Sequence, residues 1–285
     1  MGRGQFPPVN KRRQFCVIFL LLAGVFVFGG CASLPANKSR APKPSLRCIK
    51  SSFGAIIRGD PTRKALALAF TGDEFAGGGE TILNDLRRRQ AKGSFFLTGN
   101  FLTNTTFVPL VKRIAAEGHY FSVHSDKHLL YCSWEKERQT LVTQAELQAD
   151  LEMNHRRFVR LNLAQPPGRY FIPPFEHYNQ QIVTWAHEKD FILINYTPGT
   201  RSHADYTREA DKNFTSSQVI FDSIVKREQT DPHGLNGFIL LLHIGSGPGR
   251  ADKFHARFGE LLDYLAGKGY EFVRVDELLE SKDHP

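Results

Sequence analysis

The chain has 285 residues, of which 41% are hydrophobic and 23% charged, and this is the composition of an ordinary globular protein. Its formal net charge of +8 belongs to the N-terminal end, since residues 1–50 hold nine Lys or Arg and no Asp or Glu. Residues 51–285 carry 28 basic against 29 acidic residues, so the body of the chain lacks the basic surface that nucleic-acid binding requires, and we expect no nucleic-acid partner.

The first 31 residues have the layout of a secretory signal peptide. A basic segment over residues 11–13 precedes an apolar run over residues 15–28, and two glycines then lead to Cys31. The run is short for a membrane span of ~20 residues. The small residues before Cys31 resemble the lipobox of bacterial lipoproteins, which implies lipidation of Cys31 and a membrane anchor in the cell envelope. Ala32 then favours the periplasmic side of the outer membrane; plain secretion or an uncleaved anchor is the alternative.

Residues 32–60 are rich in Pro, Ser, Lys and Ala, and they are predicted to form a flexible linker to a single domain over residues 61–285. The four cysteines include no CxxC pair, so a zinc site built from thiolates is not expected. Cys48 and Cys132 either form a disulfide in an oxidising compartment or stay as two unpaired thiols.

Predicted strands and helices alternate along the body of the chain. The strands are predicted at residues 65–70, 94–98, 120–123, 170–172, 191–195, 237–242 and 271–275. The helices are predicted at residues 80–90, 107–117, 140–161, 180–189, 214–227 and 253–267, the fifth with Thr215 or Ser216 as its N-cap. This alternation predicts an α/β fold with a parallel sheet, and seven strands favour a barrel-like closure.

Polar residues follow four of the predicted strands, at the points where the strands end. These residues are Asp73 and Glu74, His124 and His128, Pro173-Pro174-Phe175-Glu176, and His243. The carboxyl ends of the strands of a parallel barrel meet on one face, so these side chains are expected to gather there. Two histidines four residues apart share one face of a helical turn and offer two nitrogen ligands to a divalent cation.

These blocks resemble those of the polysaccharide deacetylases of the NodB type over about residues 64–280. The resemblance implies a distorted (β/α) barrel. The first motif of that family, Thr-Phe-Asp-Asp, aligns with residues 71–74 of this chain. The alignment implies that Asp73 is the general base and that Glu74 is the carboxylate ligand of a metal ion.

Two further motifs of the family match this chain in full. The pattern His-Ser/Thr-x-x-His fits His124 to His128 and implies two more metal ligands, while Leu-x-His ends at His243 and implies the general acid. Two histidines and one carboxylate leave open positions on the metal, as in catalytic sites. Asp73 is then placed to accept a proton from the attacking water, and His243 to protonate the departing amine or alkoxide.

The third motif, usually Arg-Pro-Pro-Tyr, departs from the family pattern. Ile172 stands where the family has the arginine that orients the base, and Arg169 lies too early on the strand to replace it. The backbone N–H of Phe175 is a candidate donor to the oxyanion, and Glu176 is a polar residue at the substrate rim. The fourth motif, Asp followed by Trp, has only two candidates here, Asn195-Tyr196 and Asp205-Tyr206.

Aromatic residues near these motifs are candidate sugar-stacking surfaces. They are Tyr131, Trp134, Phe175 and Tyr178. Most of the remaining histidines, at positions 119, 155, 177, 187, 203, 233 and 255, are expected at the surface.

The sequence therefore predicts a metal-dependent carbohydrate deacetylase that acts on an acetylated glycan of the cell envelope. N-acetyl groups are the expected substrate ahead of O-acetyl groups. Zn²⁺ is the expected metal, with Co, Ni or Mn as alternatives. Two other functions stay open: a degenerate member that binds glycans without catalysis, and a metal-dependent amidase that acts on a non-sugar C–N bond. Structural explanations also exist for each group, such as a solvated loop pair for Asp73 and Glu74 or a core histidine for His243.

Overall fold

The structure is a computed structural model that describes residues 47–280. The predicted signal peptide, the lipidation site at Cys31 and the linker up to residue 46 lie outside the described residues. Within residues 47–280, none of the helices combines the length and the apolar character that crossing a bilayer requires.

Nine strands are found in the described part of the chain. They are β1 (Ile49–Lys50), β2 (Ile56–Arg58), β3 (Ala65–Gly72), β4 (Gly93–Leu97), β5 (Tyr120–Val123), β6 (Tyr170–Phe171), β7 (Ile192–Leu193), β8 (Ile239–His243) and β9 (Glu271–Val273).

Eight α-helices and three short 3₁₀ segments connect these strands. The helices are α1 (Gly79–Arg88), α2 (Gly99–Thr103), α3 (Val108–Ala116), α4 (Gln144–Arg160), α5 (Gln180–His187), α6 (Ser217–Thr230), α7 (Phe258–Gly267) and α8 (Val275–Leu279). The 3₁₀ segments are Pro174–Glu176, Ser202–Ala204 and Phe254–Arg257.

Seven of the strands are parallel to their neighbours. Five form one sheet in the order β5-β4-β3-β8, with β9 pairing alongside the first residues of β3. Strands β6 and β7 form a second, two-stranded parallel ladder. Backbone hydrogen bonds join the two ladders on both sides, from Gly168 N to Phe121 O at 2.9 Å and from Thr197 N to Ile239 O at 3.0 Å. The prediction of an α/β fold with about seven parallel strands is confirmed.

Strand β3 lies at the centre of the large sheet, and its two faces bury different side chains. Leu66, Leu68 and Phe70 pack into the larger core, under the helices. The alternate residues, all alanines, pack into the second core with Phe96 and Tyr120. The period of two therefore assigns bulky residues to the helix side and small ones to the other side, where aromatic rings from neighbouring strands fill the space.

The register of the sheet brings the ends of its strands to one level. Gly72 pairs with Leu97, Leu97 pairs with Val123, and Thr71 pairs with His243. The residues that follow these positions, Asp73, Thr98 and His124, therefore emerge side by side, next to His243. The carboxyl ends of these strands are therefore where the candidate catalytic residues lie, as the sequence predicted.

The folded part begins earlier than predicted. Residues 49–58 were expected to belong to the flexible linker, but β1 and β2 pair there, and Ala55 and Ile56 are buried. The linker prediction was therefore wrong at its C-terminal end.

The sequence also did not predict the short helices α2 and α8, because a segment of five residues is too short to show a helical period. Cys48 and Cys132 do not form a disulfide: Cys132 is buried, and Sγ of Cys48 donates to Leu279 O at 3.5 Å.

Candidate active site

A cavity of about 680 Å³ opens at the carboxyl ends of β3, β5 and β8. It is lined by all seven residues that the sequence predicted for the site: Asp73, Glu74, His124, His128, Phe175, Glu176 and His243. Residues far apart in the chain are thus brought to one place by the register of the sheet. The polar side chains at the strand ends therefore converge on one face, as the sequence predicted.

Asp73 follows the last residue of β3. Its Oδ1 accepts hydrogen bonds from Thr98 Oγ1 at 2.7 Å and from Asn100 Nδ2 at 3.0 Å. Thr98 is also the N-cap of α2, where its hydroxyl accepts from the N–H of Phe101 at 3.1 Å. The hydroxyl proton is therefore directed to Asp73, because the oxygen lone pair serves the helix. The sequence did not single out Thr98 or Asn100, although their position after β4 was a usable signal.

His124 and His128 lie side by side, with their ring centroids 5.3 Å apart. The prediction that they share a helical turn was wrong. The segment is a bend in which Ser125 and His128 have φ of 79° and 53°. Nδ1 of His124 lies 2.7 Å from the carbonyl oxygen of Ile172. That nitrogen must therefore carry the proton, which leaves Nε2 with the lone pair that a metal needs.

Both imidazoles are held neutral. Burial lowers the pKa of His124 well below its ordinary value, and the neighbouring His128 lowers it further. Burial also lowers the pKa of His128, although the charges of Asp73 and Glu74 oppose the shift. Neutral imidazole is the form that binds metals, so the two rings are prepared as ligands near neutral pH.

Glu74, the predicted third ligand, is exposed on the cavity wall. Between residues 47 and 280, no three His, Cys, Asp or Glu side chains converge closely enough to hold a metal ion together. The donor chemistry on the wall, two neutral imidazoles and a carboxylate, is nevertheless that of a catalytic zinc site. The histidine pair is thus assembled as expected, whereas Glu74 is not gathered with it.

The segment from His124 to His128 is held from behind by helix α4. Asn154 Oδ1 accepts from the N–H of His124 at 2.9 Å, and the Asp150 carboxylate accepts from the N–H groups of Asp126 and Lys127 at 3.1 Å each. Arg157 forms an ion pair with the buried Asp126. Residues 150, 154 and 157 share one face of the helix, so this face is polar although it is turned toward the protein.

His243 is paired with a carboxylate that the sequence only proposed as one of two candidates. Its Nδ1 lies 2.6 Å from Asp205 Oδ1, and its N–H donates to Asp205 Oδ2 at 2.9 Å. The ring of Tyr206 packs against the imidazole with the centroids 4.9 Å apart. Burial lowers the pKa of His243, but Asp205 and Glu176 together raise it above its ordinary value. His243 is therefore prepared to carry a proton.

The two prolines after β6 lead into a tight turn. Phe175 and Glu176 have φ of 59° and 52°, values that non-glycine residues rarely adopt and that cost of order 1 kcal/mol each. Asn195, the other candidate of the fourth motif, supports this turn instead of His243, because its Nδ2 donates to Glu176 O at 2.8 Å. Burial raises the pKa of Glu176 to about 7, a shift that His243 opposes and Asp205 reinforces.

The aromatic candidates divide into two groups. Trp134 and Phe175 line the cavity, and 63% and 44% of their surfaces are exposed. Tyr131 and Tyr178 are buried, so for them the sugar-stacking prediction was wrong. The surface assignment was also wrong for His119 and His177, which are both buried. Nδ1 of His119 accepts from the N–H of Gly93 at 3.1 Å, and Nε2 of His177 lies 2.8 Å from Ser133 O.

Two loops of the cavity wall are tied together by Arg250, whose side chain is fully buried. Its guanidinium donates to the carbonyl oxygens of Thr207 at 2.7 Å, Thr215 at 3.0 Å and Asp252 at 2.6 Å. The first two belong to the loop that carries Asp205, and the third to the loop after β8. One side chain thus fixes both loops beside His243.

Residues 58–193 match the sequence profile described as polysaccharide deacetylase. A peptidoglycan-N-acetylglucosamine deacetylase of Bacillus cereus is 27% identical over 201 residues, which are 70% of this chain and 81% of that protein. The structure of a family 4 carbohydrate esterase of Bacillus subtilis has a TM-score of 0.64 at 21% identity and covers 79% of this chain and 85% of that one. A family 4 pseudoenzyme from Bacillus anthracis has a TM-score of 0.59 at 20% identity, over 80% and 69% of the two chains. At these identities the solved structures share the fold.

Proposed function

The chain is a divergent member of the polysaccharide deacetylase family, and from this premise we propose that it is a metal-dependent hydrolase that removes acetyl groups from a cell-envelope glycan. One observation carries the proposal: a neutral histidine pair, the hydrogen-bonded Asp73, and His243 with its partner Asp205 behind it are brought together at the same cavity. Hydrolysis of an amide needs an electrophile, a base and an acid. The histidine pair would hold a metal ion as the electrophile, Asp73 matches the base and His243 matches the acid.

His124 and His128 would hold the metal, and Glu74, which does not converge with them in this structure, would have to turn in from the cavity wall to supply the third donor. Zn²⁺ is the metal that this donor set favours, with Co, Ni or Mn as alternatives. When bound, the ion lowers the pKa of a water ligand and polarises the acetyl carbonyl. The carbonyl of Ile172 supports the site by orienting His124 through its Nδ1–H.

The remaining groups move protons. Asp73 accepts the proton of the attacking water at Oδ2, since both hydrogen bonds from Thr98 and Asn100 go to Oδ1. As the C–N bond breaks, the His243 imidazolium donates its proton to the departing amine nitrogen, and acetate remains. The N–H of Phe175 stabilises the oxyanion, and Glu176 contacts the substrate at the rim.

Acetylated amino sugars are the proposed substrate, with N-acetyl groups ahead of O-acetyl groups. The support comes from the relative in Bacillus cereus, whose name states activity on N-acetylglucosamine of peptidoglycan. The predicted signal peptide and lipidation at Cys31 support an envelope location, as a membrane-anchored lipoprotein on the periplasmic side of the outer membrane or as a secreted protein.

The test measures metal content by mass spectrometry together with acetate release from peptidoglycan and from N-acetylglucosamine oligomers. We expect about one metal ion per chain and metal-dependent acetate release. His124→Ala and His128→Ala should lose both, whereas His243→Ala should keep the metal and lose turnover. Full activity in any of the three variants contradicts the proposed roles.

A second function, glycan binding without catalysis, is favoured by two specific observations. Ile172 replaces the arginine of the third motif, and Glu74 is exposed and does not converge with the histidine pair on a metal site within residues 47–280. The structural likeness to a pseudoenzyme is consistent with it. This alternative predicts glycan binding with neither bound metal nor acetate release, so the same experiment separates the two functions.

A further inference from the structure

The exposed aromatic side chains of the described residues gather around one opening. Large apolar side chains that are exposed include four aromatics, and all four line the cavity: Phe75, Trp134, Phe175 and Tyr206. Scattered exposed apolar residues are ordinary on a protein surface. A set of aromatics confined to the wall of one cavity instead marks a binding surface.

Trp134 has one covered ring face and one open ring face. The His177 ring lies 4.2 Å from the Trp134 ring, with an angle of 32° between the planes. His177 is itself buried, and its Nε2 lies 2.8 Å from Ser133 O, so it is a fixed support. Because 63% of Trp134 is exposed, its other face is available to a ligand without rearrangement. A supported ring loses little conformational entropy on binding.

A row of aromatic rings along the cavity wall connects Trp134 to the histidine pair, His124 and His128. The centroid of Phe175 lies 4.5 Å from that of His128, and Trp134 lies 5.9 Å from Phe175 in an edge-to-face arrangement. Trp134 is therefore two ring-to-ring steps from the histidine pair. A group bound there cannot be the acetyl group itself, since the acetyl carbon must reach the histidines.

We propose that Trp134 and Phe175 form a stacking platform for the pyranose ring next to the acetylated sugar, so that the ligand is an oligosaccharide of at least two units. This inference rests on the proposed function, because it takes the acetylated unit to lie at His128. The C–H face of a pyranose is apolar and flat, and it packs on an aromatic face while the hydroxyl groups stay in water. A single acetylated sugar leaves Trp134 uncovered.

The chain has two tryptophans, Trp134 and Trp185, which permits a direct test by fluorescence. In Trp185→Phe, Trp134 is the only tryptophan; in Trp134→Phe, Trp185 is the only one and the aromatic platform is kept. The probes are an N-acetylglucosamine monomer, its β-1,4-linked tetramer and a tetrasaccharide of peptidoglycan. All proteins carry Asp73→Asn to keep the probes intact, and affinities are measured by calorimetry.

We expect at least one tetrasaccharide to change the fluorescence of Trp185→Phe and to leave that of Trp134→Phe unchanged. Trp134→Ala should weaken tetrasaccharide binding about tenfold more than monomer binding, and Trp134→Phe should restore it to within about threefold. Val159→Ala, which removes an exposed apolar side chain from α4, is the matched control and should bind like the parent.

Three results would overturn the platform: no binding of either tetrasaccharide, a bound tetrasaccharide without a fluorescence change in Trp185→Phe, or equal binding by Trp134→Ala. Acetate release by the unmodified protein is measured separately. Tetrasaccharide binding at Trp134 without acetate release would refute the deacetylase and support the platform, whereas acetate release with unaltered binding by Trp134→Ala would refute the platform alone.

Discussion

His243 and Asp205 share two hydrogen bonds, one from the imidazole Nδ1 at 2.6 Å and one from the backbone N–H at 2.9 Å. The carboxylate thus fixes both the ring and the strand end that carries it. In the proposed reaction, this double contact leaves Nε2 of His243 as the nitrogen that would donate a proton to the substrate.

The first prediction concerns Asp205→Asn. Burial alone lowers the pKa of His243, so loss of the Asp205 charge should lower that pKa. An acid must be protonated to act, and the basic limb of the pH–rate profile should therefore move to lower pH, with a rate loss of about 10²-fold at pH 7. Asp222→Asn on α6 is the control. An unshifted basic limb would contradict the role of Asp205.

The second prediction concerns the neutral donors to Asp73. Thr98→Val removes the 2.7 Å bond and Asn100→Ala the 3.0 Å bond, and each should lower kcat about tenfold with little change in KM. Thr98→Ser keeps the hydroxyl and should retain activity, which separates the bond to Asp73 from packing. Thr103→Ala, on the same short helix, should behave like the parent. If both Asp73 donors prove dispensable, the base is oriented by other groups.

The third prediction concerns helix α4. Asn154→Ala removes the acceptor of the His124 N–H, so it should destabilise the fold by about 1–3 kcal/mol and weaken Zn²⁺ binding about tenfold or more. Urea unfolding and zinc titration measure the two effects. Arg156→Ala, on the exposed face of the same helix, is the control. Unchanged zinc affinity in Asn154→Ala would show that the loop holds its shape alone.

The fourth prediction concerns His119, whose pKa burial lowers to about 4. The unfolded chain binds a proton at His119 near pH 6.5, whereas the folded chain does not, so the folded state loses stability as the pH falls from about 6.5 to 4. The loss at pH 4 should reach about 3 kcal/mol and should be absent in His119→Asn. Parallel unfolding curves for the two proteins across this window would contradict it.

Periodicity and strand-end chemistry predicted most of what positions the site. The seven parallel strands were located because their apolar runs are bounded by glycine, proline or charge, and Asp73, His124, His128 and His243 were located because polar residues follow those runs. The α6 cap at Ser216 was also predicted, as one of two candidates, and its hydroxyl accepts from Val219 N at 3.3 Å.

Other features depend on tertiary contacts that local sequence does not encode. Asp205 lies in a loop 38 residues before His243, and nothing in its surroundings distinguishes it from Asn195 until the fold brings it to the imidazole. The exposed position of Glu74 depends on the loop geometry after β3. The inward-facing polar side chains of α4 were missed because polar residues at helical spacing usually indicate the solvent-exposed face of a helix. The sequence pattern does not show which polar face is turned toward the protein.

The buried Arg250 has a consequence for the kinetics of binding. It joins the loop that carries Asp205 to the loop after β8, and its guanidinium is bonded to three backbone carbonyls. The two loops are therefore expected not to close over a bound ligand, because their movement relative to each other would break several hydrogen bonds to the charged guanidinium at once. Rapid mixing with a glycan should therefore give a single phase whose rate rises linearly with concentration, without a slower unimolecular step.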